Sequence, residues 1–392
     1  MRLTLEWRDR ADALDSALWQ ACFGAPREGL FWFRSFERAG LDDQFQFFYG
    51  ELQRDGLPCG IVPAFVFNVP MRLVAPPALA RVLDVIAVGP FEGLAFQRTF
   101  FIGSVAAEEG AVGLLPGLSL ADVALTIHDA AMAKADAVGA PMRVWKDFEV
   151  ADFAALKTLA AKRGCFAMPS FPGTQASLLP GGYEAFLATQ KSSRRHQVKK
   201  KLRRGFEAGP LTRHHVTAPS TTELRELFAL FWQTYEKGET QFEKLNLAWF
   251  EQIAAQPESH FIVLRDAADG RAAAFMLLFD LGSRVINQFI GIDYALGEQR
   301  YLYFQLFAAA YDWAATTAAT TIQSGQTGYR AKLDLGHTLV PLWNVCRHRN
   351  PLLNRLFAKV TRDVSWRTLD PDLAVWLEAH PEDASLERAG LP

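Results

Sequence analysis

Only four cysteines occur in the 392-residue sequence, Cys22, Cys59, Cys165 and Cys346, and none stands in a CxxC or zinc-ligand spacing. That excludes a disulfide framework and points to reduced core or surface thiols. The eight histidines form no HxxxH or HExxH pattern, and adjacent His214 and His215 would point to opposite faces of a strand, so no metal site is expected. No apolar run reaches the roughly 20 residues needed to span a bilayer. The run 59–69 is too short, and 85–94 is interrupted by Gly and Pro. The opening MRLTLEWRDRADALD has no apolar h-region, so no secretory signal is read and a cytoplasmic location is expected. Walker, dinucleotide-binding and GxSxG motifs are absent, which leaves kinase, dehydrogenase and serine hydrolase readings without support. A net charge of −2 removes any whole-molecule attraction for polyanions, so such a partner must be held by a local patch.

What is present is apolar and aromatic: half the residues are hydrophobic and 30 are Phe, a globular composition long enough for two cores. In the C-terminal half the patterns predict a strand at 213–217, helices at 221–237 and 248–254, and strands at 261–265, 272–280 and 284–291 forming an antiparallel meander. A helix at 299–315 and strands at 320–324 and 341–346 follow. The N-terminal half repeats that order from a strand at 3–7 to a helix at 151–163. The Pro- and Gly-rich stretch 169–182 supplies a connection, which places the boundary near Leu179. The fold class is therefore α/β (α+β), with domains at 1–179 and 180–350 and a tail at 351–392 that reads as a small helix and a frayed end.

Three features can carry chemistry. KSSRRHQVKKKLRR, residues 191–204, holds Lys191, Arg194, Arg195, Lys199, Lys200, Lys201, Arg203 and Arg204 without one acidic residue. As a helix it would dock through Val198, Leu202 and Phe206 and present its charges to phosphates of a donor or of RNA. A solvated basic helix is the plain alternative. QSGQTGYRAKLDLG, residues 323–336, runs from a strand into a glycine-punctuated turn. There Lys332 can stabilise an oxyanion, Tyr329 can relay a proton, and Gln323, Ser324 and Gln326 can line a pocket at the strand end. Asp293, with Tyr294 beside it, follows the strand ending QFIG and can act as a base toward an amine, or simply serve as a turn residue. Glu236, Lys237, Glu239 and Gln241 could line a substrate channel or belong to an exposed loop.

YEAFLATQKSSRRHQVKKKLRRGFEAG and GIDYALGEQRYLYFQLFAAAYDWA, continued through SGQTGYRAKLDLG, resemble the Fem-like branch of the GNAT acyltransferase superfamily. That branch includes peptidoglycan-bridge aminoacyltransferases and acetyltransferases of the cellulose-acetylation type. The likeness covers about 183–343 and implies two tandem GNAT-like domains, each a mixed, mostly antiparallel sheet flanked by helices. It also implies direct attack of an amine or hydroxyl on a carbonyl, with Lys332 matching a lysine at the family's transfer site.

The resemblance implies no permanently bound cofactor, but aminoacyl-tRNA or acyl-CoA as co-substrate, with a small molecule or cell-envelope precursor as acceptor. The turn LGEQRYLYF departs from the Gly-rich pyrophosphate turn of ordinary GNAT enzymes, which favours tRNA over coenzyme A. The leading expectation is an aminoacyl transferase acting on an amine. The alternatives are acyl-CoA-dependent acetylation of a polysaccharide or metabolite, and an RNA-binding module without activity.

Overall fold

The computed structural model describes residues 2–70, 96–238 and 243–387. Glu239 and Gln241 lie outside those residues. Among the described residues, fifteen strands form two sheets: β1 (Leu3–Arg8), β2 (Phe45–Arg54), β3 (Leu57–Pro70), β4 (Phe96–Ile102), β5 (Gly113–Leu114), β6 (Met142–Glu149), β7 (Phe166–Pro169), β8 (Gly173–Ser177), β9 (Leu211–Val216), β10 (Ser259–Asp266), β11 (Ala272–Asp280), β12 (Arg284–Ile292), β13 (Thr321–Gln323), β14 (Thr338–Val340) and β15 (Leu342–His348). The first sheet runs β1-β2-β3-β4-β6-β15-β7, with β5 on β3, and the second runs β14-β8-β13-β12-β11-β10-β9.

The predicted repeat is present as topology. In each half four antiparallel strands lead to one parallel neighbour, β6 beside β4 and β13 beside β12. The next position in each sheet is filled across the expected boundary near Leu179. β15 enters the first sheet between β6 and β7, and β8 enters the second between β13 and β14. The stretch read as a plain connection thus contains a strand, and the last predicted strand pairs with the opposite half. Short strands such as GTQAS carry too little apolar alternation to announce which sheet will take them.

The halves also share apolar interior. One cluster joins Trp19, Trp32, Phe36 and Tyr49 to Leu227, Trp249, Phe275 and Phe279. Trp32 meets Trp249 edge-on at 5.8 Å and Phe279 at 5.7 Å. Such ring pairs contribute about 0.5–1.5 kcal/mol each beyond the area they bury, which accounts for part of the aromatic content. All four cysteines are free and buried.

The tail is better anchored than a frayed end. Trp366, Leu373 and Leu377 pack against Tyr329, Leu333 and Leu339, and Trp366 Nε1 donates to Ser170 O at 3.1 Å. The tail therefore braces the short helix Tyr329–Asp334, which carries Lys332.

Candidate active site

β12 and β13 pair over Arg284–Ile286 and Thr321–Gln323, where β13 ends, while β12 continues to Ile292. In open α/β sheets the carboxyl ends of the strands are where polar groups meet a ligand. The turn that leaves β13 keeps three residues at positive φ, Gly325 at 66°, Thr327 at 64° and Gly328 at 59°. For a β-branched Thr this conformation is strained, a cost tolerated mainly at functional sites.

Lys332 is buried and donates to the carbonyl oxygens of Gly325 at 3.3 Å and Gln326 at 3.1 Å. An ammonium has three N–H donors, so one remains for a ligand. From the other half, the loop after β4 brings Glu108 against Gly325, where a Cβ would lie 3.0 Å from Glu108 Oε1. Its φ of 66° favours glycine, and a side chain there would also press on the Glu108 carboxylate. Burial pulls the Lys332 pKa down, opposed by Glu108, and burial pushes the Glu108 carboxyl up, opposed first by Lys332. Each group is held nearer neutrality than an exposed lysine or glutamate would be.

Around this pair lies a buried polar seam. Arg284 Nη1 donates to Glu109 Oε1 at 2.7 Å and to Gln323 Oε1 at 3.1 Å, its Nη2 lies 3.7 Å from Glu28 Oε2, and its Nε donates to Pro26 O. Burial raises Glu28, and burial with the neighbouring Glu109 raises Glu149. Four carboxyls, Glu28, Glu108, Glu109 and Glu149, therefore face two cations, a balance that suits a cationic or amine ligand. Glu28 Oε1, Asn287 Oδ1, Gln288 Oε1 and Gln326 Nε2 are buried here without a hydrogen-bond partner. Such atoms are uncommon in folded proteins, and four of them lie together at this seam.

Ser324 is fixed by His337. Buried His337 is pulled down to about 3 by burial and by the Lys332 charge, so the ring is neutral. Its Nδ1 lies 2.9 Å from Lys332 O and its Nε2 lies 2.9 Å from Ser324 Oγ. A carbonyl can only accept, so Nδ1 carries the proton and Ser324 donates to Nε2. Asn287 Nδ2 completes the group by donating to Ser324 Oγ at 3.3 Å.

The sequence-derived candidates divide. Lys332, Gln323, Ser324 and Gln326 converge on the seam. Tyr329 is fully buried, with its hydroxyl donating to Pro172 O at 2.8 Å and its ring among the tail residues, so its proton is committed to the backbone. Asp293 caps a 3₁₀ turn, its Oδ1 accepting from Ala295 N at 2.9 Å, which is the turn role weighed against catalysis. Tyr294 is partly exposed, with Lys237 Nζ 3.9 Å from its ring centroid. Glu28, Glu108, Glu109, Glu149, Arg284 and His337 escaped the sequence reading. Their only local signals are an acidic pair in a small-residue loop, AAEEGAV, and one Arg opening an apolar strand, RVINQF.

The basic helix is Ser192–Ala208, with Val198 and Gly205 buried. Phe206, expected in its docking stripe, is 64% exposed. A Cβ at Gly205 would lie 2.4 Å from Arg300 O, so this end of the helix docks through its glycine and turns Phe206 outward. Lys201 Nζ reaches Asp334 Oδ2 at 2.8 Å, which ties the helix to the one carrying Lys332. Lys199 pairs with Glu184, Arg203 lies 3.7 Å from Glu207, Arg194 donates to Gln190 at 2.9 Å, and Arg195 donates to Ala188 O at 3.1 Å. Lys191, Lys200 and Arg204 are exposed.

In the turn that follows β12, the amides of Ala295, Leu296, Gly297, Arg300 and Tyr301 all donate within the turn. They are not free to cradle a pyrophosphate. Among the described residues, no group of three or more His, Cys, Asp or Glu is arranged to hold a metal ion.

Residues 192–332 match the family model described as an acetyltransferase (GNAT) domain. No curated protein matches the chain in sequence. Among solved structures, FemX shares 12% identity at a TM-score of 0.55, covering 90% of this chain and 100% of its own. L-PGS from Bacillus licheniformis shares 13% at 0.51, covering 86% and 98%. A conserved protein of unknown function from Bacteroides thetaiotaomicron shares 12% at 0.52, covering 88% and 99%. At these identities the likeness is one of fold, extending over nearly the whole of each chain.

Proposed function

We propose that this chain, a double-domain acyltransferase of the GNAT superfamily with the Fem-like fold, moves an activated aminoacyl group from aminoacyl-tRNA to an amine bound at the seam between its halves. The observation that carries this reading is the buried placement of both Lys332 and Glu108 at Gly325, with unpartnered polar atoms around them. The acceptor sits at the carboxyl-rich seam as the neutral amine. Its nitrogen attacks the carbonyl carbon of the donor ester, forming the C–N bond, and Glu108 takes the proton that the nitrogen then carries in excess. The free N–H of Lys332 meets the negative charge that develops on the carbonyl oxygen, a role worth about 10²–10³ in rate for one preorganised donor. The C–O bond to the carrier then breaks, and the departing oxygen receives the proton held by Glu108.

Two features support tRNA as the carrier. The turn after β12 commits five of its amides to its own hydrogen bonds, and the basic helix offers exposed Lys191, Lys200 and Arg204 to a polyanion while tied to the Lys332 helix. Acetyl-CoA is the second reading, favoured by the acetyltransferase description of the matching domain.

The test is a transfer screen with purified protein, labelled aminoacyl-tRNA or acetyl-CoA, and pooled amines, with Lys332→Ala as control. Label passing from tRNA to an amine in the wild type alone supports the proposal. Label passing only from acetyl-CoA replaces the donor.

A further inference from the structure

The helix Pro351–Val360 buries none of its residues. Leu352 is 72% exposed, Leu356 54%, Leu353 40% and Val360 38%. Leu352, Leu356 and Val360 follow one another at i, i+4 and i+8, and Leu353 lies beside them, so the four form a single outward stripe. The opposite side of the helix fixes this orientation. Asn354 Oδ1 accepts from His348 N at 2.8 Å, Asn354 Nδ2 donates to Gly164 O at 2.9 Å, and the Phe357 ring lies 5.6 Å from that of His348. A stripe of four large apolar side chains, held outward by packing behind it, marks an interaction surface.

Charge indicates what covers it. Between residues 347 and 362 stand Arg347, Arg349, Arg355, Lys359 and Arg362, with no Asp or Glu. On the helical projection Arg355 and Lys359 border the leucine stripe on one side. A second copy of this chain, docked by a two-fold contact, would set these cations against themselves. An anionic lipid surface accepts both features, leucines among the acyl chains and cations at the phosphates.

We propose that the helix Pro351–Val360 is an interfacial anchor that docks the protein reversibly on an anionic phospholipid surface. The anchor does not depend on which acyl donor the enzyme uses. It lies in the plane of the interface, consistent with no described helix being long and apolar enough to cross a membrane.

The experiment is co-sedimentation of the full chain with vesicles of phosphatidylcholine alone or mixed with phosphatidylglycerol. Binding to the mixed vesicles is expected to be at least about tenfold tighter, and to weaken as salt rises from about 0.1 to about 1 M. Leu352→Glu with Leu356→Glu should lower vesicle binding at least about tenfold while melting temperature and transfer activity in solution stay unchanged. Arg355→Gln with Lys359→Gln should weaken binding about fivefold per charge removed. Absence of binding to either vesicle would overturn the proposal. So would loss of binding on changing Lys200 and Arg204 but not the leucines, and so would concentration-dependent dimerisation that the leucine variants abolish without any vesicle binding.

Discussion

Glu108 and Lys332 come from opposite halves of the chain and meet at Gly325, whose carbonyl oxygen Lys332 holds at 3.3 Å. Neither half contains the pair alone. The strand exchange of β8 and β15 and the shared aromatic interior fix the two halves against each other, and the pair's geometry depends on that register.

The first consequence is a pH profile. Burial raises Glu108 and lowers Lys332, so the base is formed only at higher pH than an ordinary carboxylate and the ammonium is lost at lower pH than an ordinary lysine. kcat/KM is expected to follow a narrow bell. Its acid limb should lie well above the usual carboxylate value of about 4.3 and its basic limb well below about 10.4. Because the two groups interact, the limbs belong to the pair. Glu108→Gln should remove the acid limb and lower kcat about 10²–10⁴-fold. A variant that keeps the wild-type profile would rule Glu108 out as the base.

Removal of the ammonium is expected to act on turnover. Lys332→Ala deletes the donor aimed at the developing oxyanion, and kcat should fall about 10²–10³-fold with KM for the acceptor changed little. Circular dichroism and thermal melts of the same preparation check the fold, since Glu108 can take up a proton once its cation is gone. A variant that turns over at the wild-type rate removes Lys332 from the mechanism.

Lys332 was legible in the sequence because its turn is contiguous: the glycines, the lysine and the preceding strand stand within fourteen residues of one motif. The basic helix and the β10–β12 meander were legible for the same local reason, since charge and hydrophobic periodicity state them directly. Glu108, Glu28 and Arg284 were not, because each acquires meaning only when a loop of one half meets a strand of the other. Tyr329 illustrates the converse. Its place near Lys332 suggested proton transfer, yet Trp366 and the tail leucines enclose its ring and its hydroxyl is spent on Pro172 O. Asp293 fits its strand-end position equally well as base or cap, and only the Ala295 hydrogen bond separates the two.

The basic helix makes a separable prediction. Lys200→Glu with Arg204→Glu reverses exposed charges away from the seam, so it should weaken a polyanionic donor and leave acceptor KM unchanged. Titration of tRNA binding against salt should give a shallower slope for the variant, by about 0.7–0.9 for each phosphate that is no longer neutralised. Equal slopes and affinities would show that the run is a solvated face.

The last prediction concerns acid stability and rests on His128. This residue is buried, with Nδ1 lying 3.3 Å from the Trp145 Nε1 donor and Nε2 lying 3.7 Å from Cys165 Sγ, and burial first, then nearby Arg347, pull it down to about 4. In the unfolded chain it titrates near 6.5, so as pH falls the unfolded state takes the proton first. Its contribution is therefore fully present above about 6.5 and is lost progressively toward about 4, in total about 3 kcal/mol. His337 acts in the same direction, whereas raised carboxyls such as Glu28 and Glu149 act oppositely, gaining as pH falls. The comparison must therefore be made between variants. His128→Gln retains an acceptor for Trp145 and cannot titrate, so its unfolding free energy in urea should fall less steeply than wild type between about pH 6.5 and 4. Parallel slopes for the two proteins would mean that His128 is not held neutral in the folded state.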